Sequence, residues 1–127
     1  MYLKIDFDSE KPIYSQLYEQ IVEGIAMGDM KEGDALPSVR QMAEDIGINL
    51  HTVNKAYSLL KNDGYVKLDR RKGAVINLNF QQTKEAIIER ISNEMKSVLA
   101  EAFCKGVGSS EIAELVNEIY SKFSKGK

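Results

Sequence analysis

Cysteine, histidine and tryptophan are nearly absent from this chain of 127 residues. It contains one cysteine, Cys104, one histidine, His51, and no tryptophan. A zinc site needs several Cys or His ligands, and a Cys/His nucleophile needs a partner within reach. The glycines form no phosphate loop either, so we expect no metal, no cofactor and no catalytic residue. Cys104 is interpreted as a structural thiol, with redox sensing as the alternative.

Long hydrophobic runs are also missing. No stretch reaches the roughly 18 consecutive apolar residues that a membrane helix requires, and no signal-peptide segment follows Met1. We therefore expect a soluble, cytoplasmic protein without a membrane partner. With 43% apolar and 28% charged residues, the chain can form one domain with a modest core and a smaller appendage.

The chain lacks the excess of positive charge that is common in nucleic-acid-binding domains. Its formal net charge is −2 and its pI is about 5.5. The charges are unevenly distributed, however. Residues 1–34 carry 3 cations against 8 acidic residues, residues 35–77 carry 7 against 4, and the remainder carries 7 of each. A positive field on residues 35–77 can therefore face a polyanion while the acidic start faces away.

Two short helix patterns joined by a glycine occupy this basic region. Ser38 and Gln41 have capping-box spacing, and Gly47 supplies a left-handed residue at the end of the first helix. Asn49 can cap a second helix that ends at Gly64. Each helix has one apolar stripe at helical spacing. The stripes are Val39, Met42, Ala43 and Ile46, then Val53, Ala56, Tyr57 and Leu60.

The second helix has a polar opposite face, followed by a hairpin pattern. The polar residues are of the types that a helix in a DNA major groove presents, namely His51, Thr52, Asn54, Lys55, Ser58 and Asn62. Val66 and Leu68 then alternate with Lys67 and Asp69, a cationic turn follows over residues 70–73, and residues 75–78 are predicted as the return strand. This order predicts a winged helix-turn-helix.

The segment before the helix pair predicts a third helix. Pro12 suits the first helical position, and apolar residues recur every four positions from Ile13 to Ile25, which indicates a core helix ending at Met27. Residues 2–7 alternate apolar and polar side chains, and are either a short strand or an extended arm.

The residues of these segments resemble the DNA-binding domain of GntR-family bacterial transcription regulators. The resemblance covers residues 10–78. It is carried by Pro12, Ile13, Tyr14, Gln16 and Leu17, by Leu36, Pro37, Ser38, Val39 and Arg40, by Gly47, Ile48 and Asn49, by Thr52, Val53, Asn54, Lys55, Ala56 and Tyr57, and by Gly64. The short remainder is similar to the YtrA-like branch. The resemblance implies an α+β, mostly α fold, with a winged helix-turn-helix domain in residues 1–80 and a two-helix dimerisation domain in residues 81–127.

The resemblance also implies which residues contact double-stranded operator DNA. These are Ser38, Arg40, Asn49, Leu50, His51, Thr52, Asn54, Lys55, Arg70, Arg71, Lys72 and Gly73. Arg40 matches a base- or phosphate-contacting arginine, and Lys61 and Lys67 are further candidates for the DNA backbone. Leu50 departs from the polar residue or proline usual at its position, and either touches a thymine methyl or packs at the helix start. Arg71 replaces a small residue, which adds charge to the wing.

The region after residue 80 has a heptad-like pattern and then a second apolar stripe. The predicted dimerisation residues are Ile88, Ile91, Met95, Val98, Leu99, Ala102, Ile112, Leu115, Val116 and Ile119. Ser109 or Ser110 can cap the last helix. Two such helices cannot enclose their apolar faces alone, so we expect a hairpin whose helices bury each other and a second copy of the chain.

The function implied by the resemblance is a transcription regulator, with repression as the expected effect, that binds an inverted-repeat operator as a homodimer. Two alternatives remain open. One is a ligand-sensing regulator with a small effector pocket in the tail, the effector being unknown. The other is a winged-helix module that binds proteins, against which the charged, apolar-poor face of the second helix counts.

Overall fold

The computed structural model describes residues 3–123, so Tyr2 of the alternating segment and the last four residues lie outside it. Its elements in chain order are α1 Ile13–Met27, α2 Val39–Ile46, α3 Leu50–Asn62, β1 Val66–Asp69, β2 Gly73–Ile76, α4 Lys84–Cys104 and α5 Ser109–Lys122. The described residues form two compact units, one ending at Phe80 and one spanning Gln81–Phe123. Five helices with one two-stranded sheet confirm the predicted α+β, mostly α fold class.

The core of the first unit is formed by the apolar stripes of α1, α2 and α3 together with the sheet. The largest fully buried side chains, all in one cluster, are Leu17, Ile21, Met42, Val53, Leu60 and Ile76. The three stripes thus pack against one another, as their helical spacing predicted. Full burial of each such side chain contributes about 1.5–3 kcal/mol.

Two helix starts differ slightly from the prediction. Pro12 is the residue before α1 and not its first residue. Ser38 does cap α2, since its Oγ accepts from the amide of Gln41 at 3.0 Å. The capping box is incomplete, however, because the Gln41 amide side chain donates to Asp45 Oδ1 at 2.7 Å, one turn further along the helix. In a capping box the Gln41 side chain would bind the backbone amide of Ser38, but here it binds Asp45 four residues further along the helix surface.

The N-terminal segment is an extended arm and not a strand over residues 3–6, and a turn follows at residues 7–8. Gln20 pairs with the backbone of Lys4, accepting from its amide at 2.8 Å and donating to its carbonyl at 2.6 Å. Buried Gln16 accepts from the amide of Asp6 at 2.8 Å and donates to its carbonyl at 3.0 Å. Two glutamines of α1 therefore supply the hydrogen bonds that a neighbouring strand would otherwise provide.

The wing is an antiparallel hairpin in which Val66 lies opposite Ile76 and Asp69 opposite Gly73. The return strand therefore begins directly after the turn, and the prediction of residues 75–78 was wrong by two positions. The hairpin is held to the loop before α2, since the amide of Leu36 donates to the carbonyl of Ala74 and the amide of Ile76 to that of Asp34, each at 2.8 Å. This pairing attaches the wing to the same loop that leads into α2.

In the second unit, Thr83 caps α4 by accepting from the amide of Ala86 at 3.1 Å. The cap of α5 is Gly108 and not Ser109 or Ser110, because the Glu111 carboxylate already accepts from the Gly108 amide at 3.1 Å. Neither helix has a buried residue. Ala102 and Ile112 are half-buried in the single chain, and the expected burial against a second copy stays a prediction. Cys104 is exposed rather than packed as a structural thiol.

Candidate nucleic-acid interface

The N-terminus of α2 presents one constrained polar group and one free cation. The Ser38 hydroxyl is used as the helix cap, so its oxygen is held against the Gln41 amide. Arg40, two residues later, is exposed, and its side chain has neither a hydrogen bond nor an ion pair with any residue in the described range 3–123. Its guanidinium is free to bind an external anion or a base edge, for which its planar array of donors is suited.

The α3 helix begins at an asparagine cap and directs its polar side chains outward. Oδ1 of Asn49 accepts from the amide of His51 at 2.7 Å, which assigns Asn49 a structural role in addition to its predicted one. His51, Asn54 and Ser58 are exposed, and Thr52 is half-buried. Leu50 is 41% exposed, so its methyl groups remain accessible at the helix start.

Lys55 is an exception among the predicted DNA contacts, because the structure gives it an intramolecular partner. Its Nζ lies 3.9 Å from the centroid of the Tyr14 ring, within the range of a cation–π interaction. This contact leaves the charge intact but orients the side chain towards α1. Tyr14 therefore lies beside a predicted DNA contact, which the pattern of α3 alone did not indicate.

The tip of the wing is organised by Asp69. The backbone amides of Lys72 and Arg71 donate to its Oδ1 at 3.0 and 2.8 Å. These two hydrogen bonds, followed by the charges of Lys72 and Lys67, lower the pKa of the exposed Asp69 carboxyl. Gly73 follows with φ 79°, a left-handed conformation that glycine adopts without strain. The side chains of Arg70, Arg71 and Lys72 are thus carried on a defined turn.

A buried tyrosine links α3 to the segment that leads into α2. The Tyr57 hydroxyl donates to the carbonyl of Pro37 at 2.7 Å. Burial raises the pKa of this phenol well above its usual range, so the donor stays protonated at physiological pH. This bond joins α3 to the residue directly before the Ser38 cap, and so helps to hold the start of α2 beside α3.

A concavity of about 290 Å³ lies between the start of α2, one side of α3 and the wing. We call it the helix–wing concavity. Its lining residues are Pro37, Ser38, Val39, Asn54, Tyr57, Ser58, Lys61, Leu68, Gly73 and Ala74. Val66 and Leu68 alternate with polar residues in β1, but Val66 is buried whereas Leu68 is 65% exposed.

Among the residues that the structure describes, no ion pair neutralises a cation of this surface. The ion pairs within residues 3–123 join Lys11 to Glu19, Arg90 to Glu94, and Lys105 to Glu101, and none includes a cation of residues 35–77. The structure therefore brings Ser38, Asn54 and Gly73 to one concavity and leaves the cations of the helix pair and wing available. The DNA-contact assignments themselves stay predictions.

Besides Tyr14, two features of this surface were missed by reasoning from the sequence. The organising role of Asp69 had a signal, since an aspartate directly before a turn commonly accepts hydrogen bonds from amides two or three residues on. The exposure of Leu68 had no such signal, because a two-residue period assigns a residue to a face of the sheet but does not show whether that face is covered at that residue.

Comparison with known sequences agrees with this architecture. The profile described as "Bacterial regulatory proteins, gntR family" matches residues 13–76, from the first residue of α1 to the last of β2. The chain belongs to the GntR family. It is 36% identical over 126 residues to the HTH-type transcriptional repressor YtrA of Bacillus subtilis, covering 98% of this chain and 97% of that relative.

Two solved structures show the same architecture as this GntR-family chain. A transcriptional antiterminator from Listeria monocytogenes matches with a TM-score of 0.81 and 28% identity, covering 93% of this chain and 89% of the other. YtrA from Sulfolobus acidocaldarius, a GntR-family transcription factor, matches with a TM-score of 0.62 and 35% identity, covering 76% and 99%. The winged-helix prediction and the predicted similarity to the YtrA-like branch are confirmed.

Membership of this family makes the chain a DNA-binding transcription regulator and not an enzyme. Among the helices described, none has the length and apolar character of a membrane span. Within the same residues, no three side chains of the types His, Cys, Asp or Glu are grouped so that they could hold a metal ion.

Proposed function

We propose that this GntR-family regulator is a repressor that binds an inverted-repeat operator as a homodimer. The observation that carries the proposal is the set of exposed cations on α2, α3 and the wing of one unit, none of which forms an ion pair within residues 3–123. Unpaired Lys and Arg side chains can release counterions from DNA without first breaking an internal ion pair. The relative from Bacillus subtilis is named as a repressor, which supports the proposed sign of regulation.

In this proposal α3 enters the major groove of the DNA, and contacts from α2 and the wing fix its position along the duplex. His51, Thr52 and Asn54 face base edges, with Leu50 near a thymine methyl group. Arg40 binds a guanine or a phosphate from the start of α2. The wing cations Arg70, Arg71 and Lys72 bind phosphates, and Gly73 allows their turn to approach the DNA.

The dimer is proposed because the second unit exposes an apolar surface that the single chain leaves uncovered. Ile91 and Met95 on α4 are 42% and 37% exposed, and Leu115 and Val116 on α5 are also exposed. Contiguous apolar patches on soluble proteins commonly mark interaction sites. A second copy with the same patch would cover them, together with Ile88, Val98, Leu99, Ala102, Ile112 and Ile119.

Footprinting and transcription assays test this function. The full chain is titrated onto DNA from upstream of its own gene, and we expect protection of two inverted half-sites and less transcript from that promoter. Protection of a single site would contradict the dimeric operator. An increase in transcript at protein concentrations that fill the site would show an activator instead.

A second candidate function, effector sensing, is favoured by one observation in the tail. A mostly apolar cleft of about 240 Å³ lies where α4 and α5 meet, lined by Leu99, Ala102, Phe103, Val107, Ser109 and Ile112. This is somewhat below the roughly 300 Å³ at which ligand pockets usually begin. An apolar fluorescent dye that binds the full chain and releases operator would support effector sensing. Dye binding that instead requires dissociation of the dimer would show that the cleft is part of the dimer interface.

A further inference from the structure

Residues 77–80, which follow β2, are held to the first unit although they form no strand. We call them the exit segment. The amide of Asn77 donates to the carbonyl of Tyr65 at 2.9 Å. The amide of Asn79 donates to the carbonyl of Gly64 at 2.8 Å. The backbone of the exit segment is therefore paired with the residues that connect α3 to the wing.

Side chains hold the same segment at two further points. The Glu32 carboxylate accepts from the amide of Leu78 at 2.6 Å. The Phe80 ring packs edge-on against Tyr65, with the ring centroids 5.1 Å apart, and Tyr65 packs edge-on against Tyr18 of α1 at 6.0 Å. Edge-to-face ring pairs at these distances are stabilising beyond the area that they bury. Phe80 thus fastens the last residue of the first unit to α1 through Tyr65.

Very little chain separates this attachment from α4. Thr83 already belongs to the second unit, because its hydroxyl caps α4 at the amide of Ala86. Residues 81 and 82 alone lie between Phe80 and that cap. Three residues of extended chain span at most about 10–11 Å, whereas the seven residues from the end of β2 to Thr83 would span about 23–25 Å if the exit segment were released. Attachment of the exit segment therefore more than halves the reach of the linker.

Linker reach matters for a protein that binds two half-sites, because each added base pair moves the second half-site by about 3.4 Å and rotates it by about 34°. We propose that Phe80 is a positioning residue, which keeps the linker to α4 short and so restricts the half-site spacings that one dimer can bind. The proposal rests on the dimeric operator binding proposed above. It adds a determinant of operator choice that lies outside the predicted DNA contacts.

Two variants loosen the exit segment in steps. Phe80→Ala removes the ring, and Glu32→Ala/Phe80→Ala also removes the acceptor for the Leu78 amide. With two base pairs inserted between the half-sites, the parent protein should bind at least tenfold more weakly, since it loses part of the roughly 10²–10⁴ gained by binding both half-sites. Glu32→Ala/Phe80→Ala should lose less than about threefold on the same insertion, and Phe80→Ala an intermediate amount.

The original spacing provides a second readout. A longer linker lowers the effective concentration of the second half of the dimer, roughly as the −3/2 power of its length. Going from three residues to seven should therefore weaken binding of Glu32→Ala/Phe80→Ala to the original operator by roughly threefold. Affinity for a single half-site should not change, because each DNA-contact surface is intact. A merely structural role of Phe80 would instead lower single half-site affinity and leave the spacing preference as in the parent protein.

Two matched controls frame the comparison. Phe7→Ala removes another exposed phenylalanine of the first unit, at the turn after the N-terminal arm, and should keep the spacing preference of the parent protein. Insertion of Gly-Ser-Gly-Ser between Gln82 and Thr83 lengthens the linker and leaves the exit segment untouched. It should relax the spacing preference at least as much as Glu32→Ala/Phe80→Ala.

The experiment is a titration of the full chain and these variants on a single half-site and on inverted repeats with zero, one, two and three inserted base pairs. A relaxed preference in the insertion variant alone would overturn the role of Phe80. An unchanged preference in the insertion variant would show that linker reach does not restrict spacing, and would overturn the proposal as well. A parent protein that binds the inverted repeat no better than one half-site would instead overturn the dimeric operator itself.

Discussion

At the scale of single residues, a substitution of Arg40 can show whether this side chain contacts a base or a phosphate. The side chain is exposed and has no hydrogen-bond or ion-pair partner in residues 3–123. Replacing it by Ala should weaken operator binding by roughly 1–3 kcal/mol if it contacts a guanine, with a much smaller loss on random DNA. Titration on both duplexes makes the comparison. Arg40→Lys is the control, since it keeps the charge and loses the bidentate geometry. Equal losses of R40A on both duplexes would reassign Arg40 to a phosphate.

Gly64 joins α3 to the wing in a conformation that no other residue fits well. Its φ is 91°, and a Cβ atom there would collide with the carbonyl oxygen of Asn79. Gly47 has φ 78° but open space around it. Gly47→Ala should therefore cost only the left-handed strain of about 1–2 kcal/mol. Gly64→Ala should cost about 1–3 kcal/mol more because of the collision. Urea unfolding followed by circular dichroism compares them, and equal losses would contradict the close approach.

Tyr57 should make the stability of the fold depend on alkaline pH. Because burial raises its pKa in the folded state, the unfolded chain ionises first as pH rises above the ordinary tyrosine value of about 10. Its contribution to stability is therefore complete below that pH and is lost above it. In Tyr57→Phe, the free energy of unfolding should therefore decrease less steeply above that pH. At neutral pH the same variant should be less stable by about 0.5–1.5 kcal/mol, because it lacks the hydrogen bond to Pro37. The free energy of unfolding is measured from pH 8 upward.

Tyr120 provides the control for this pH dependence. It is 69% exposed, so Tyr120→Phe should leave the alkaline slope as it is in the parent protein. An alkaline slope that is the same in Y57F and in the parent protein would show that other groups cause the loss of stability.

At the scale of elements, Asp69 of the wing is expected to have two opposite effects on DNA binding: its charge repels phosphates, and its hydrogen bonds hold the turn that carries the cations. Asp69 carries a negative charge among wing cations, yet its Oδ1 holds the amides of Arg71 and Lys72. Asp69→Asn keeps an oxygen acceptor and removes the charge, so DNA affinity should rise. Asp69→Ala removes both, and affinity should fall on all sequences because the turn loosens. Fluorescence titration at fixed salt measures both. Changes in the same direction for D69N and D69A would contradict a role in shaping the turn.

At the scale of the whole molecule, the exposed face of α4 is expected to decide the oligomeric state. Ile91→Glu/Met95→Glu places two charges where a second copy is proposed to pack, and should produce a monomer that still binds a single half-site weakly. On the full inverted repeat it should lose on the order of 10²–10⁴ in affinity, because the second half-site is no longer bound intramolecularly. Sedimentation and titration on DNA with one or two half-sites provide the measurements.

The control for the dimer uses the other side of the same helix. Asn93→Glu/Ser97→Glu adds the same charge at exposed polar positions of α4 and should remain dimeric. A parent protein that is monomeric at micromolar concentration would overturn the dimer and favour effector sensing by the tail. So would full operator affinity in the Ile91→Glu/Met95→Glu variant.

The sequence alone determined which elements form and which face of each helix is apolar. Local spacing predicted the apolar stripes of α1, α2 and α3 and the caps at Ser38 and Asn49, because each depends on residues within a few positions of one another. The basic bias of residues 35–77 was readable for the same reason. These local features were sufficient to predict the winged helix-turn-helix and the family resemblance.

Tertiary structure decided which side chains of different elements meet. Lys55 lies over Tyr14 because α1 packs beside α3, and Lys61 shares a concavity with Leu68 because the wing is paired to the loop before α2. Such neighbours are far apart in the chain, and a shift of one residue in strand register would separate them. Periodicity within an element contains no information about that register, so only the folded chain defines the surface on which Lys61 and Leu68 lie together.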